Sequence, residues 1–525
     1  MLASTMKRLL CLLVALGFLS HRGHAERLFY HDVRTDAGDH LLPWYSADLG
    51  LAYDHAVRQV WQFWNAMPPC PNGVPYYLQH QVWKPEHDPR GLGGDQLAMA
   101  LSSWNLLYAY TGDRAVVSNM VLIADFVLAH GLSVPTAVWP NLPYPYNTDL
   151  HSGRYDGDMR AGKGFTQPDK AASFASELVM LYKITGNARY LEAAAQVANT
   201  LAAKVAPGDA DHSSWPFRVH AETGQVPPAV SALYTANYTG ALRLFRDLID
   251  LKQPGADRYR AAFATVSSWL KQYPMQTMKW GPFFEDVSEW SNTEINADTM
   301  ATYLLEHPDW DPQWRAHAKA ILDWTWSTFG TNEFARFGVT AIREQTAYLV
   351  PGNSHTSRHA SVELLYAEKT GDLKRKAEAI RELSWATYTV DFDGRNRYPR
   401  DDIWLTDGYG DYVRHYLRAM AAAPELAPGG QDHLLRSSSA IREIRYDRGQ
   451  VSYRTFDAAS EELLRLAFTP ERVTAGGQAL KRLASRAELE REPGYTFEAP
   501  GDPAGVLRLR HVGSGEVAIN RVPLP

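Results

Sequence analysis

Apolar residues recur at three- and four-residue spacing through most of the first 430 residues, in runs broken by Gly, Pro or Asp, which is the period of amphipathic helices. Three stretches share one grammar: "LLYAYTGDRAVVSNMVLIADFVLAHG" from Leu106, "MLYKITGNARYLEAAAQVANTLAAKV" from Met180 and "LLYAEKTGDLKRKAEAIRELSWATYTV" from Leu364. Each ends one helix, breaks at Thr-Gly-Asp/Asn and opens another. The Gly suits a left-handed helix stop, and Asp113, Asn187 and Asp372 suit the cap of the next helix. Each unit is therefore predicted to be a helical hairpin. Three further hairpins are placed by the same pattern, the last pairing "DGYGDYVRHYLRAMAAAPEL" with "LAYDHAVRQVWQFWNAMP" near the start of the chain. Six inner helices are expected to begin near Asp95, Asp169, Ala229, Thr293, Ser357 and Asp407, alternating with six outer ones.

Short turns after each inner helix and long connections before it describe a mainly α chain closed into an (α/α)6 toroid over residues 26–436, with the long loops gathered on one face; an open solenoid is the alternative. After "APELAPGGQDHLL" the period changes to two. Segments such as "IREIRYDRGQVSYRTFD" and "GVLRLRHVGSGEVAI" read as short strands, so residues 437–525 are predicted to form a small antiparallel β-sandwich.

Composition narrows the picture. The net charge of −6 argues against a nucleic-acid footprint, and 16 Trp among 525 residues lean toward sugar-stacking surfaces. Residues 1–25 have a basic start at Lys7-Arg8, an apolar run from Leu9 to Leu19 and a small-residue end at Ala25, which reads as a secretory signal peptide and implies a secreted or periplasmic protein. Without that leader Cys70 is the only cysteine, so no internal disulfide is available.

The hairpins, and above all the repeated turns that run from Leu-Tyr into Thr-Gly-Asp/Asn, make the whole mature chain resemble the six-hairpin glycosidase group, exported (α/α)6 enzymes that hydrolyse glycosidic bonds; some uronate-cleaving polysaccharide lyases share the toroid. That resemblance implies a poly- or oligosaccharide substrate and a site at the toroid mouth. It carries no residue assignment.

Glycoside hydrolysis needs one protonated and one ionised carboxyl group, so acids on the long loops and at inner-helix starts are the candidates. In "WGPFFEDVSEWSNTEINAD", Glu285 and Asp286 sit among Trp280, Phe283, Phe284 and Trp290, where lost hydration would favour a general acid; Trp280 is a candidate sugar contact, while Glu289 and Glu294 rank lower. Asp407 and Asp411, four apart, open the last inner helix beside Tyr409 and His415 and form the best second pair. Asp169 opens the second inner helix as either cap or catalyst. Asp149, Asp156 and Asp158 suggest oxygen ligands for Ca²⁺, although their spacing does not match a helix-loop-helix calcium loop, and no metal or other cofactor is assigned. His355 and His359 flank Arg358 at helical spacing without a zinc-protease Glu, so His355 and Arg358 are read as substrate contacts, with Arg358 offering a fork for a uronate carboxylate. His80, Trp83, Arg90 and Asp95 occupy the equivalent loop of the first inner helix.

No phosphate loop, dinucleotide fingerprint or nucleophile elbow is present. The expected function is a glycoside hydrolase. A lyase or epimerase acting on a uronate-containing glycan through Tyr409, His355, His415 and Arg358 is the alternative, and a non-catalytic glycan-binding protein the third reading.

Overall fold

A computed structural model describes residues 26–78, 94–149, 152–284, 289–352, 354–397, 409–499 and 505–521, and only the backbone of 94, 95 and 409. Twelve long helices are described. The inner ones are α2 (Gly94–Thr111), α4 (Pro168–Thr185), α6 (Thr239–Asp250), α8 (Glu294–Glu306), α10 (His355–Thr370) and α12 (Tyr409–Ala422). The outer ones are α1 (Leu49–Asn65), α3 (Arg114–His130), α5 (Ala188–Lys204), α7 (Ala256–Gln272), α9 (Trp314–Phe329) and α11 (Leu373–Thr387). Each inner helix packs on the next around the ring, α12 returns to α2, and α1 is the outer partner of α12, so the toroid is closed.

The local reasons are those the repeat suggests. Gly112, Gly186 and Gly371 adopt left-handed φ of 70°, 75° and 80°. Asp113, Asn187 and Asp372 then accept from the backbone N–H of Ala115, Arg189 and Arg375, satisfying orphan donors at the starts of α3, α5 and α11. Inner helices are packed on nearly every face, and nearly all of α8 and α10 is buried, whereas α7 and α11 bury one side only.

The third inner helix departs from the prediction. It begins at Thr239, ten residues after Ala229; before it lie only a single turn at Val230–Ala232 and irregular chain. Tyr234 and Tyr238 imitate a helical stripe, but their hydroxyls donate to the carbonyls of Lys279 (2.6 Å) and Trp215 (2.5 Å). Tertiary partners, not helix periodicity, set their spacing.

The C-terminal strands form two antiparallel sheets. In the four-stranded sheet, His433–Ser437, Ser460–Leu466, Gly505–His511 and Gly494–Glu498 lie side by side, and an apolar row of Leu434, Leu464, Leu507 and Phe497 crosses all four. Its first strand starts four residues ahead of Ser437. The sandwich docks on the short-turn end of the toroid, where inner helices finish with unsatisfied carbonyls. His433 Nδ1 reaches Tyr110 O at 2.8 Å with its ring stacked on Tyr110, Arg442 Nε donates to Lys183 O at 3.0 Å, and Arg436 grips Glu368 with both nitrogens. The opposite end, where the inner helices begin, is left to the long loops.

Two glycines let inner helices approach closely. A Cβ on Gly240 would lie 2.5 Å from Ser173 Oγ and 2.7 Å from its Cα, and one on Gly410 would lie 2.7 Å from the backbone of Ala100. Gly240→Ala and Gly410→Ala are therefore expected to destabilise the fold by roughly 1–3 kcal/mol each through overpacking, read by denaturant unfolding. Wild-type stability in Gly410→Ala would contradict the seam drawn between α12 and α2.

Candidate functional site

All six inner helices point their N-termini at the mouth, so their positive dipole ends converge there and favour carboxylates in the first turns. Among the described side chains three helices carry one: Asp169 on α4, Glu294 on α8 and Asp411 on α12. None is exposed, and each is neutralised by a neighbouring cation.

The largest cluster joins α8, α10 and α12. Arg358 Nη1 donates to Glu294 Oε2 at 2.6 Å, while its Nη2 pairs with Asp411. Asp411 also pairs with Arg414, and its Oδ1 lies 3.0 Å from His415 Nε2; His415 Nδ1 lies 3.0 Å from Ser357 Oγ. Burial alone would push both carboxyl groups up. Arg358 and His355 nevertheless hold Glu294 below the usual range, and Arg358, Arg414 and His415 hold Asp411 well below it. Burial, with Arg358 and Arg414 nearby, lowers His415 to about 4 despite Asp411.

His355 stands at the first position of α10, with Nδ1 2.7 Å from the same Glu294 oxygen. Arg358 Nη1 also lies 3.0 Å from Nδ1, so both partners hold the ring by that edge and leave Nε2 on the opposite one. That nitrogen faces Glu344 Oε2 at 3.8 Å, and the Phe284 ring lies edge-on to the imidazole at 5.8 Å. One turn deeper, His359 is held between Asp298 (2.9 Å) and Glu363 (3.4 Å). Burial pushes Asp298 up, while the two acids, against burial, raise His359 well above its ordinary value.

Across the ring, Asp169 accepts from Lys170 Nζ (3.1 Å) and Asn237 Nδ2 (2.9 Å). It is neither helix cap, a position held by Gln167, nor a free carboxylate. Lys170 also donates to Phe283 O at 2.8 Å and sits against the Phe283 ring. The aromatic segment is pinned from behind: Asn292 Oδ1 accepts from Trp280 N and Gly281 N, and Asn296 Nδ2 donates to the carbonyls of Trp280 and Gly281.

The expected site residues thus divide. Asp411, His355, Arg358 and His415 come together, joined by Glu294, which the sequence reading ranked low. Asp169 lies across the mouth. Trp280, expected to contact sugar, is instead fully buried core, because Asn292 and Asn296 turn its backbone inward. Arg358 is occupied at both ends, so its fork is not free for a uronate. Asp158 is taken by Arg218, Gln167 and two backbone amides, and Asp156 by Thr148 and Lys163, so neither of these two carboxylates is free for Ca²⁺. Glu285, Asp286, Asp407, His80, Trp83 and Arg90 lie outside the described residues, as do the side chains of Asp95 and Tyr409. Glu344, Lys170 and Asn237 were missed, since nothing in their local sequence marks them.

Replacing Arg358 by Ala would strand two buried carboxylates, a loss on the order of 3–5 kcal/mol. The pH dependence has a definite sign. Glu294 and Asp411 are held low in the folded chain, so their ionised forms add stability above the ordinary carboxylate range, lost as pH falls through the folded values; His415, lowered to about 4, makes the same limb steeper below its ordinary 6.5. Arg358→Ala should move the acid-unfolding midpoint to higher pH, measured by circular dichroism. An unmoved midpoint would contradict the bridge.

No protein-family model matches the chain, and no curated protein matches it in sequence. Solved structures do match in fold. A sugar epimerase from a ruminal bacterium aligns over 71% of this chain and 99% of its own at 12% identity with a TM-score of 0.52. Cellobiose 2-epimerase from Spirochaeta thermophila aligns over 71% and 97% at 12% identity (TM-score 0.54), and a D-mannose isomerase over 73% and 99% at 11% (0.54). The chain therefore shares the (α/α)6 toroid fold of these three structures.

Proposed function

We propose that the protein is an exported carbohydrate-active enzyme that moves a proton at a sugar carbon, as an epimerase or isomerase does, with His355 as the acid–base group. The observation that carries this reading is the Glu294–His355 dyad held by Arg358. Both bridged carboxylates are kept ionised and spent on cations, so neither supplies the protonated acid that glycoside hydrolysis requires. His359 and His415 have both ring nitrogens within 3.4 Å of a partner, whereas the Nε2 of His355 faces only Glu344, at 3.8 Å. In an open-chain aldose, Nε2 would take the proton from the carbon next to the carbonyl, giving an enediolate; a proton delivered to that carbon from the opposite face gives the epimer, and one delivered to the former carbonyl carbon, with the hydroxyl proton passing from O2 to O1, gives the ketose. The fold neighbours, named as epimerases and an isomerase, support the reading without fixing the substrate. The leader-like residues 1–25 support export.

Hydrolysis is the second reading, favoured by one observation: Phe284 lies beside His355, and Glu285 and Asp286 follow it directly in the chain.

The two are separated by incubating the enzyme with glucose, mannose and cellobiose in D2O. Proton transfer predicts deuterium entering the sugar next to the anomeric carbon, seen by NMR, and at least a hundredfold loss in His355→Asn. Release of reducing ends from an oligosaccharide, lost in Glu285→Gln or Asp286→Asn and kept in His355→Asn, would overturn it in favour of hydrolysis.

A further inference from the structure

The four-stranded sheet turns one face toward the short-turn end of the toroid. Its pairing sets Leu464 opposite Leu507 and Leu463 opposite Arg508, so alternate residues take the sandwich core and the others, with Leu463, Arg465 and Arg508 among them, take the outer face. Arg436 stands across from Leu463 on the remaining side. That this face meets the toroid is fixed by Arg436, whose two terminal nitrogens hold Glu368 of α10 at 2.8 and 2.7 Å. Three arginines therefore surround Leu463, which is itself buried. Arg436 and Arg508 flank it from the two neighbouring strands, and Arg465 is diagonal to both. Diagonal neighbours lie about 7–8 Å apart, within reach of long side chains.

One of the three is neutralised. Among the described residues Arg465 and Arg508 have neither a hydrogen bond nor an ion pair, and the Nε of each is buried without an acceptor. The acids nearby are taken: Glu461 by Arg510, Glu498 by Nε and Nη2 of Arg486, and Glu368 by Arg436. On the toroid side Glu306, at the end of α8, pairs with Arg243 and has Arg418 beside it. The sheet face thus sets three cations against one carboxylate. Like charges on neighbouring strands repel, and burial, with Arg486 and Arg436 nearby, pulls Arg508 below its ordinary value despite Glu368 and Glu498.

The unpaired donors say what would relieve this. Nε–H and one Nη–H of a guanidinium form a planar fork that matches two oxygens of an oxyanion. A carboxylate has only two oxygens and one charge, enough for a single fork. A tetrahedral dianion has oxygens for both forks and offsets both surplus charges. Entry is open, because the Arg436 side chain at the edge of the cluster is 41% exposed.

We propose that this seam between sandwich and toroid is a binding site for a phosphate or sulfate group, held by Arg465 and Arg508 with Arg436 as a third, flanking cation. The site shares no residue with the His355 cluster and lies at the end of the toroid opposite the mouth, so it stands or falls independently of the reaction proposed above. Bound there, the oxyanion offsets the repulsion among the arginines beside the Arg436–Glu368 pair that ties the sandwich to α10.

The test titrates the full-length protein with inorganic phosphate, sulfate, phenyl phosphate and acetate by calorimetry, with ionic strength held constant by chloride. Saturable binding of the dianions is expected, with acetate at least tenfold weaker, and phosphate is expected to raise the melting temperature. Arg465→Gln and Arg508→Gln each remove one fork, so that one failing to fold leaves the other, and a folded variant is expected to lose at least tenfold in affinity and the thermal shift with it. Arg454→Gln, an exposed arginine of the other sheet, is expected to bind as wild type does. Tighter binding of phenyl phosphate than of inorganic phosphate assigns an ester as the ligand, and the reverse assigns the free ion. The proposal is overturned if no dianion saturates against the chloride background, if acetate binds as tightly, or if a folded Arg465→Gln or Arg508→Gln protein keeps wild-type affinity.

Discussion

The guanidinium of Arg358 is shared by three successive inner helices. It sits on α10, takes Glu294 from α8 with one nitrogen and Asp411 from α12 with the other, and brings His355 into register with both. A ring of helices that all start at one face gathers positive dipole ends there, which invites carboxylates, and buried carboxylates demand cations in return. Arg358 meets that demand for two helices at once, because a planar fork can serve two acceptors where an ammonium offers a point charge.

This arrangement separates the roles of the charged groups. Glu294 and Asp411 are fixed and ionised, and hold His355 and His415 in place. Behind them, His359 with Asp298 and Glu363 continues the ion pairs outward to Arg375 on α11. Such a buried network is a poor source of net stability, but it admits few alternative packings, since any slip of one helix strands a charge. The helix starts that carry this network are thereby held as a rigid frame under the loops of the mouth. The sandwich contributes at the opposite end, covering carbonyls that the short turns leave open.

The fold was legible because it repeats. Thr-Gly-Asp at residues 111 and 370 and Thr-Gly-Asn at 185 declared three hairpins through local backbone chemistry, and the rest followed by periodicity. Where local chemistry did not decide, the reading slipped: Tyr234 and Tyr238 looked helical but are spaced by hydrogen bonds to distant carbonyls. The site was half legible. Asp411, His355, Arg358 and His415 could be found because they open inner helices. Their partnerships could not, because Glu294 and Arg358 are 64 residues apart and nothing along the chain says that a fork is already filled. Trp280 shows the converse, an aromatic in a long loop that its backbone partners turn inward.

The central claim is that the two bridged carboxylates stay ionised and leave acid–base work to His355. It is tested most directly by ¹³C NMR of the side-chain carboxyl groups, assigned with Glu294→Gln and Asp411→Asn, over a pH titration of the folded protein. Both resonances are predicted to remain those of ionised carboxylates at pH 5. A protonated Glu294 or Asp411 at that pH would contradict the account and restore one of them as a hydrolytic acid.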